Sequence, residues 1–114
     1  MHPSHTFHIV TRSAWAQGDR SAPYRHPSLE SEGFIHCTDG ALELAATANR
    51  YFADEPGELL ALEIERARIA ALVRYDDAAM IYPHIYGPLN RDAILRVLPM
   101  KRRADGRWLS PIEE

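Results

Sequence analysis

Between Ser31 and Phe52 a short apolar run breaks on one imidazole and turns at once into a long amphipathic stretch, a junction that limits what the chain can become. Gly33 marks a turn, and Phe34 and Ile35 suit a buried strand that runs to Cys37. Thr38 and Asp39 follow, side chains that accept hydrogen bonds from the free amides at a helix start. Asp39 also stands where a helix dipole favours negative charge. Leu42, Ala45, Ala46, Asn49 and Phe52 recur at steps of three and four, which predicts a helix burying that face together with Trp15. The pattern is strand, sharp junction, helix, with His36, Cys37 and Thr38 at the junction. Polar side chains where a strand meets a helix N-terminus suit an anion or a phosphate.

The rest of the chain supplies strands to pair with that one. Thr6–Thr11 is dense in β-branched and aromatic residues, with Phe7 and Ile9 on one face and His8 and Val10 on the other. Ser13 is expected to cap a short helix over residues 14–17, ended by Gly18 in a left-handed conformation. Residues 19–32 hold Pro23 and Pro27 and read as a long loop of the kind that often carries function. After the turn signal Asp54-Glu55-Pro56-Gly57, residues 59–64 form an almost wholly apolar run expected to be a central strand. Residues 65–72 suit one helical turn, and 73–75 return to strand. The stretch 81–86 contains Pro83, which predicts an edge or a bulge. Residues 93–100 form another strand, and Asp105-Gly106 turns the chain back so that 107–109 pair with it. Strands and helices mixed without strict alternation predict an α+β fold with mainly antiparallel sheet.

At 114 residues the chain has the length of one domain, 1–114, with residues 1–5 expected as a frayed tail. A net charge of −3 argues against a dedicated nucleic-acid binder, which carries a strongly basic face. Cys37 is the lone cysteine, so an internal disulfide is excluded, and a single thiol fits a reducing, cytoplasmic setting. No run approaches the length needed to span a bilayer, and the first residues lack the apolar core of a signal peptide. The expected state is a monomer or weak homodimer without a membrane partner.

Six histidines are the main chemical signal. His8, His36 and His84 fall on three short predicted strands, and antiparallel neighbours can aim all three into one cleft as catalytic candidates. Each alone reads equally well as a core imidazole bonded to a backbone carbonyl. Metal binding is not expected, since His36 and Cys37 alternate to opposite strand faces and no paired ligand spacing exists. Cys37 reads as a small buried hydrophobe. Thr11, Arg12, Ser28, Thr38 and Tyr86 are the candidate ligand-binding side chains, hydroxyls and a guanidinium of the kind that recognise phosphate or carboxylate. His36-Cys37-Thr38 also matches half of the H-x-[ST] pair of two-histidine phosphoesterases; no second copy follows His8 or His84.

Several segments taken together resemble a known family. They are His8-Ile9-Val10-Thr11, Pro27-Ser28-Leu29, Glu32 through Thr38, Ala48 through Phe52, and Pro83 through Leu89. In this order they look like the domain of unknown function 952 family, which is similar in arrangement to the ADP-ribosyltransferase superfamily. The resemblance implies split antiparallel sheets with one long and one short helix around a nicotinamide-nucleotide cleft. His8 would stand where a histidine bonds the nicotinamide ribose. Ile35 or His36 would take the aromatic position, and His84 the place of a glutamate. The ligand so implied is a nucleotide of the NAD or ADP-ribose type, bound without any obligatory cofactor, with chemistry of the ADP-ribosyl or 2'-phosphotransferase kind. Two alternatives stand beside that reading: a non-catalytic binding module that kept the fold, and a two-histidine phosphoesterase.

Overall fold

In the computed structural model, which describes residues 3–112, the period-two pattern around His8 becomes strand β1 (His5–Thr11). Helices α1 (Arg12–Ala16) and α2 (Ser28–Ser31), strand β2 (Ile35–His36) and helix α3 (Ala41–Tyr51) follow. The second half is β3 (Leu59–Glu65), β4 (Leu72–Tyr75), β5 (Pro83–Tyr86), β6 (Ile94–Pro99), β7 (Lys101–Arg102) and β8 (Trp108–Leu109), with 3-10 turns at Arg66–Arg68 and Arg91–Ala93. The strands make two three-stranded antiparallel sheets, β1-β3-β6 and β2-β5-β4, and a β7-β8 hairpin. The fold is α+β.

Burial follows the faces of β1 and β3. Val10, Leu60, Leu62 and Ile64 pack against Ile35, Ile85 and Leu89, filling the space between the two sheets. Phe7, Ile9, Leu59 and Ala61 pack on the other side against Leu44, Ala48, Met100 and Trp108. Strand β3 is therefore covered on both faces, which explains its almost unbroken apolar sequence inside an antiparallel sheet. Its one charged interior residue, Glu63, is buried but accepts from Arg96 at 2.5 Å and His5 at 2.9 Å. The Arg96 guanidinium, aided by His5, holds that carboxyl below the usual range against the opposing effect of burial.

Several expectations are corrected. The tail ends earlier than residue 5: His5 pairs with Glu65 in β1, and Ser4 accepts from the Arg66 amide, while residues 1 and 2 lie outside the described residues. Thr11, not Ser13, caps α1, its hydroxyl accepting from the Ala14 amide at 3.2 Å, and Gly18 does not take a positive φ. The long loop contains α2, so the described residues hold two short α-helices rather than one. Strand β2 is shorter than the run 33–37 suggested. Gly40 is the N-cap of α3 at φ 91, with no side-chain cap from Thr38 or Asp39. Asp39 instead accepts from the Tyr75 hydroxyl at 2.6 Å.

The buried face of α3 is Ala41, Leu44 and Ala48, whereas Leu42 is 71% exposed and Trp15 and Phe52 are half-buried. Alanines on every side of this helix satisfy more than one set of three-and-four spacings, and Leu44 decides which set faces inward. Pro83 lies in the central strand of its sheet, not at an edge, but at that strand's first residue, where a missing N–H is tolerated. The chain does turn back at Asp105-Gly106, with Gly106 at φ 90, but residues 108 and 109 pair with β7 rather than with the strand expected over 93–100, and the Arg103 amide donates to the Arg107 carbonyl across a loop longer than two residues.

Candidate functional site

A backbone bridge joins the two sheets along β1. Phe7 and Thr38 exchange both backbone hydrogen bonds, at 3.0 and 2.7 Å, in an isolated antiparallel bridge. Beyond it β1 and β2 diverge, and a cavity of about 560 Å³ opens between them, a size that suits a small-molecule ligand. His8 and Ile9 of β1 and His36 of β2 line it. The last turn of α3 adds Arg50 and Tyr51, followed by Phe52, and the approach to β5 adds Tyr82 and His84.

Strand parity aims β1's backbone into this space. Phe7 turns its N–H and C=O toward Thr38, so odd-numbered residues of β1 point away from β3. Arg12, of even number, donates to the Glu58 carbonyl and keeps the same alternation. Ile9 is the next odd residue after Phe7, and among the described residues no backbone bridge joins it to β2, where the His36 carbonyl bonds the His8 ring instead. By this alternation its N–H and C=O turn away from β3, on the side where Ile9 borders the cavity.

The four histidines of the wall have hydrogen-bond partners that assign their protons. His8 Nδ1 lies 2.6 Å from the His36 carbonyl, an acceptor, so Nδ1 carries hydrogen. His8 Nε2 then accepts from the Tyr24 hydroxyl at 2.8 Å. The ring is buried at 2% exposure, and desolvation lowers its pKa to about 3, with His26 and His36 adding to the effect and the His36 carbonyl opposing it. His8 is thus neutral near neutral pH and holds β2 in place. His26 Nδ1 accepts from the Ser28 amide at 3.1 Å and faces the Ser28 hydroxyl at 2.9 Å. Burial lowers its pKa as well.

His36 and His84 are cross-strand partners with ring centroids 5.3 Å apart. His36 Nε2 donates to Glu32 at 3.0 Å, and His84 Nδ1 donates to Asp76 at 3.1 Å. Each imidazole is thereby oriented by its own carboxylate, the arrangement that tunes a base. In the neutral form the free lone pairs are His36 Nδ1 and His84 Nε2. His84 also stacks on Phe34 at 3.9 Å and 13°. Asp76 accepts from the Tyr86 hydroxyl too, and that bond, followed by the one from His84, keeps its carboxyl below the usual range.

Of the sequence candidates, His8, His36, His84 and Thr38 line the cavity. Thr11 caps α1, Arg12 pairs with Glu58 at 2.6 Å, Ser28 is buried behind His26, and Tyr86 bonds Asp76; none of these four is on the wall. Thr38 donates to the Thr47 hydroxyl at 3.4 Å. Cys37 is buried, and desolvation pushes its thiol well above the ordinary value. Sequence reasoning passed over Arg50, Tyr82 and the backbone of Ile9, and did not rank His26. Arg50, four residues after Ala46 and next to Tyr51-Phe52, was legible as the cationic end of the long helix. Among the described residues, no three His, Cys, Asp or Glu side chains gather as a metal site, and no helix is long and apolar enough to cross a membrane.

A family model described as "Protein of unknown function (DUF952)" matches residues 9–97. The crystal structure of protein CC0527 from Caulobacter crescentus is similar in fold, with a TM-score of 0.76, 20% identity and coverage of 91% of this chain and 92% of that one. Its solution NMR structure gives a TM-score of 0.72 at 20% identity, covering 91% of this chain and 90% of that one. No curated protein matches the chain. With the match running from the cavity-lining Ile9 on β1 to Val97 on β6, the chain belongs to the DUF952 family of proteins of unknown function.

Proposed function

We propose that the cavity binds a nucleotide of the NAD or ADP-ribose type, in an arrangement like that of the ADP-ribosyltransferase superfamily. What carries this reading is the Ile9 backbone, whose N–H and C=O strand alternation turns away from β3 beside the cavity, a paired donor and acceptor that suits a carboxamide or the hydrogen-bonding edge of a base. Around it, Tyr51, Phe52 and Tyr82 supply planar or apolar wall, and Arg50 supplies a permanent cation for a phosphate.

The cavity carboxylates favour binding over ADP-ribosyl transfer. Glu32 accepts from His36, and Asp77 accepts from the Ile81 and Tyr82 amides, both at 3.1 Å. Neither is free to orient a ribose in the way the superfamily's glutamate does, and His84 occupies the strand position where that glutamate is expected. His8 has both nitrogens engaged inside the protein, so its role is to hold β2 rather than to contact a ribose.

The test is a thermal-shift series with NAD, ADP-ribose and nucleoside cyclic phosphates. A ligand present at a hundredfold excess over its Kd adds about 2.7 kcal/mol to the folded state, which raises the melting point by several degrees. No rise with any of the three overturns the reading.

A second reading rests on the two carboxylate-held imidazoles of His36 and His84. Such a pair suits proton transfer in phosphate chemistry. In that case His84→Gln lowers turnover of a cyclic phosphate by about 10²–10⁴-fold with binding preserved. If the site only binds, the same variant shifts affinity by about 1 kcal/mol, one neutral hydrogen bond.

A further inference from the structure

The four histidines of the cavity wall do not offer the same thing to a ligand. His8 has spent both nitrogens on the His36 carbonyl and Tyr24. His36 and His84 each give one N–H to a carboxylate. His26 differs in kind, because its one protein-bonded nitrogen is an acceptor. The Ser28 backbone N–H can only donate, so Nδ1 of His26 must hold a lone pair.

That leaves the hydrogen on Nε2, for which no partner exists among the described residues. The residue is fixed at its other end as well: the His26 carbonyl accepts from the Leu29 amide at 2.9 Å, and its ring meets His8 edge-on at 5.0 Å. Ser28, which holds the ring, is itself buried at 4% exposure.

We propose that His26 contacts the ligand directly, as a neutral imidazole whose Nε2–H donates to an acceptor oxygen of the bound molecule. The inference rests on the nucleotide reading above and adds a residue to it. Protonating Nδ1 would break the bond from the Ser28 amide. Burial, and next the His36 imidazole from β2, disfavour a second proton on this ring, whereas Glu32 after α2 favours one; His8 from β1 meets it edge-on. With Nδ1 held by the Ser28 amide, the Nε2–H keeps its hydrogen-bonding sense. The oxygen it meets is phosphoryl or carboxamide, which share the same acceptor chemistry.

The experiment uses protein labelled with nitrogen-15 in its histidine rings, observed by long-range proton–nitrogen correlation with and without ADP-ribose. In the free protein His26 is expected as the Nε2–H tautomer, and its Nε2 resonance moves when ADP-ribose binds. His26→Asn retains an oxygen able to accept from the Ser28 amide two residues on, so the loop keeps its cap while the ring donor is lost. That variant should bind ADP-ribose about tenfold more weakly, the loss of one good hydrogen bond. Parallel titrations with inorganic pyrophosphate and with nicotinamide assign the oxygen: weakening of the first marks phosphoryl, weakening of the second carboxamide, and either supports the inference. An Nδ1–H tautomer in the free protein overturns it, as does unchanged affinity of the variant for all three probes. If the parent binds ADP-ribose while the His26 resonances stay still, this inference fails alone. If the parent binds none of the probes, the nucleotide reading fails and takes the inference with it.

Discussion

Acidification should unfold this protein partly through one residue, His8. Its ring is buried and neutral with a pKa lowered to about 3, against 6.5 when exposed. The unfolded chain takes up a proton at His8 below pH 6.5 and the folded chain does not. The stability that the neutral ring contributes is therefore complete above pH 6.5 and is lost progressively as the pH falls toward 3. Each unit of difference is worth about 1.4 kcal/mol. Between pH 7.5 and pH 5 the loss from His8 comes to about 2 kcal/mol, a substantial share of a typical domain's 5–15 kcal/mol. Urea denaturation at both pH values measures it. His8→Gln will itself cost about 1–3 kcal/mol at pH 7.5 by disturbing the Tyr24 and His36 partners, so the informative quantity is the change with pH. His26, shifted in the same direction, is present in both proteins and cancels. The parent should lose about 2 kcal/mol more than the variant over this interval. Equal losses would refute the claim that His8 is held neutral by burial.

Two further substitutions test the packing that frames the cavity. Leu44→Ala, at a fully buried position under α3, should cost about 3–5 kcal/mol by chemical denaturation; Leu42→Ala, on the exposed side, should stay within about 0.5 kcal/mol, and a reversed order would show the helix face to be misread. Asn49 ties α3 to the terminal hairpin, donating to the Trp108 carbonyl at 3.0 Å and accepting from the Trp108 amide at 2.7 Å; Asn49→Ala should cost about 1–3 kcal/mol, and a melting point equal to the parent's would contradict that tie.

What could be read in advance divides along physical lines. The strand pattern around His8, the two-sided burial of β3 and the Asp105-Gly106 turn are local, set by side-chain period and turn chemistry, and the sequence carried them. The convergence of His36 and His84 depends on the register of a two-residue strand, which no local pattern states; it arises from the ladder to β5 and from the His8 bond to the His36 carbonyl. Arg12 and Ser28 looked like ligand contacts because of their type, yet Glu58 and His26 claim them. The opposite error befell Ile9. An isoleucine advertises only its side chain, so its backbone edge beside the cavity appears only once the divergence of β1 and β2 is known. Leu42 and Leu44 differ by two positions on an alanine-rich helix, and the tertiary contacts of Leu44, not helical spacing, choose between them.

The most direct test of nucleotide binding reads the Ile9 amide itself. In a proton–nitrogen correlation experiment on the free protein, the Ile9 N–H should exchange with solvent faster than the β3-paired amides of His8 and Val10 on either side. On titration with ADP-ribose and with NAD, the Ile9 resonance should move in a saturable manner and its exchange should slow, with Arg50→Gln weakening the response. Saturable shifts elsewhere that leave Ile9 unmoved, or no shifts with either nucleotide, would contradict the proposal that this strand edge is the heart of a nucleotide site.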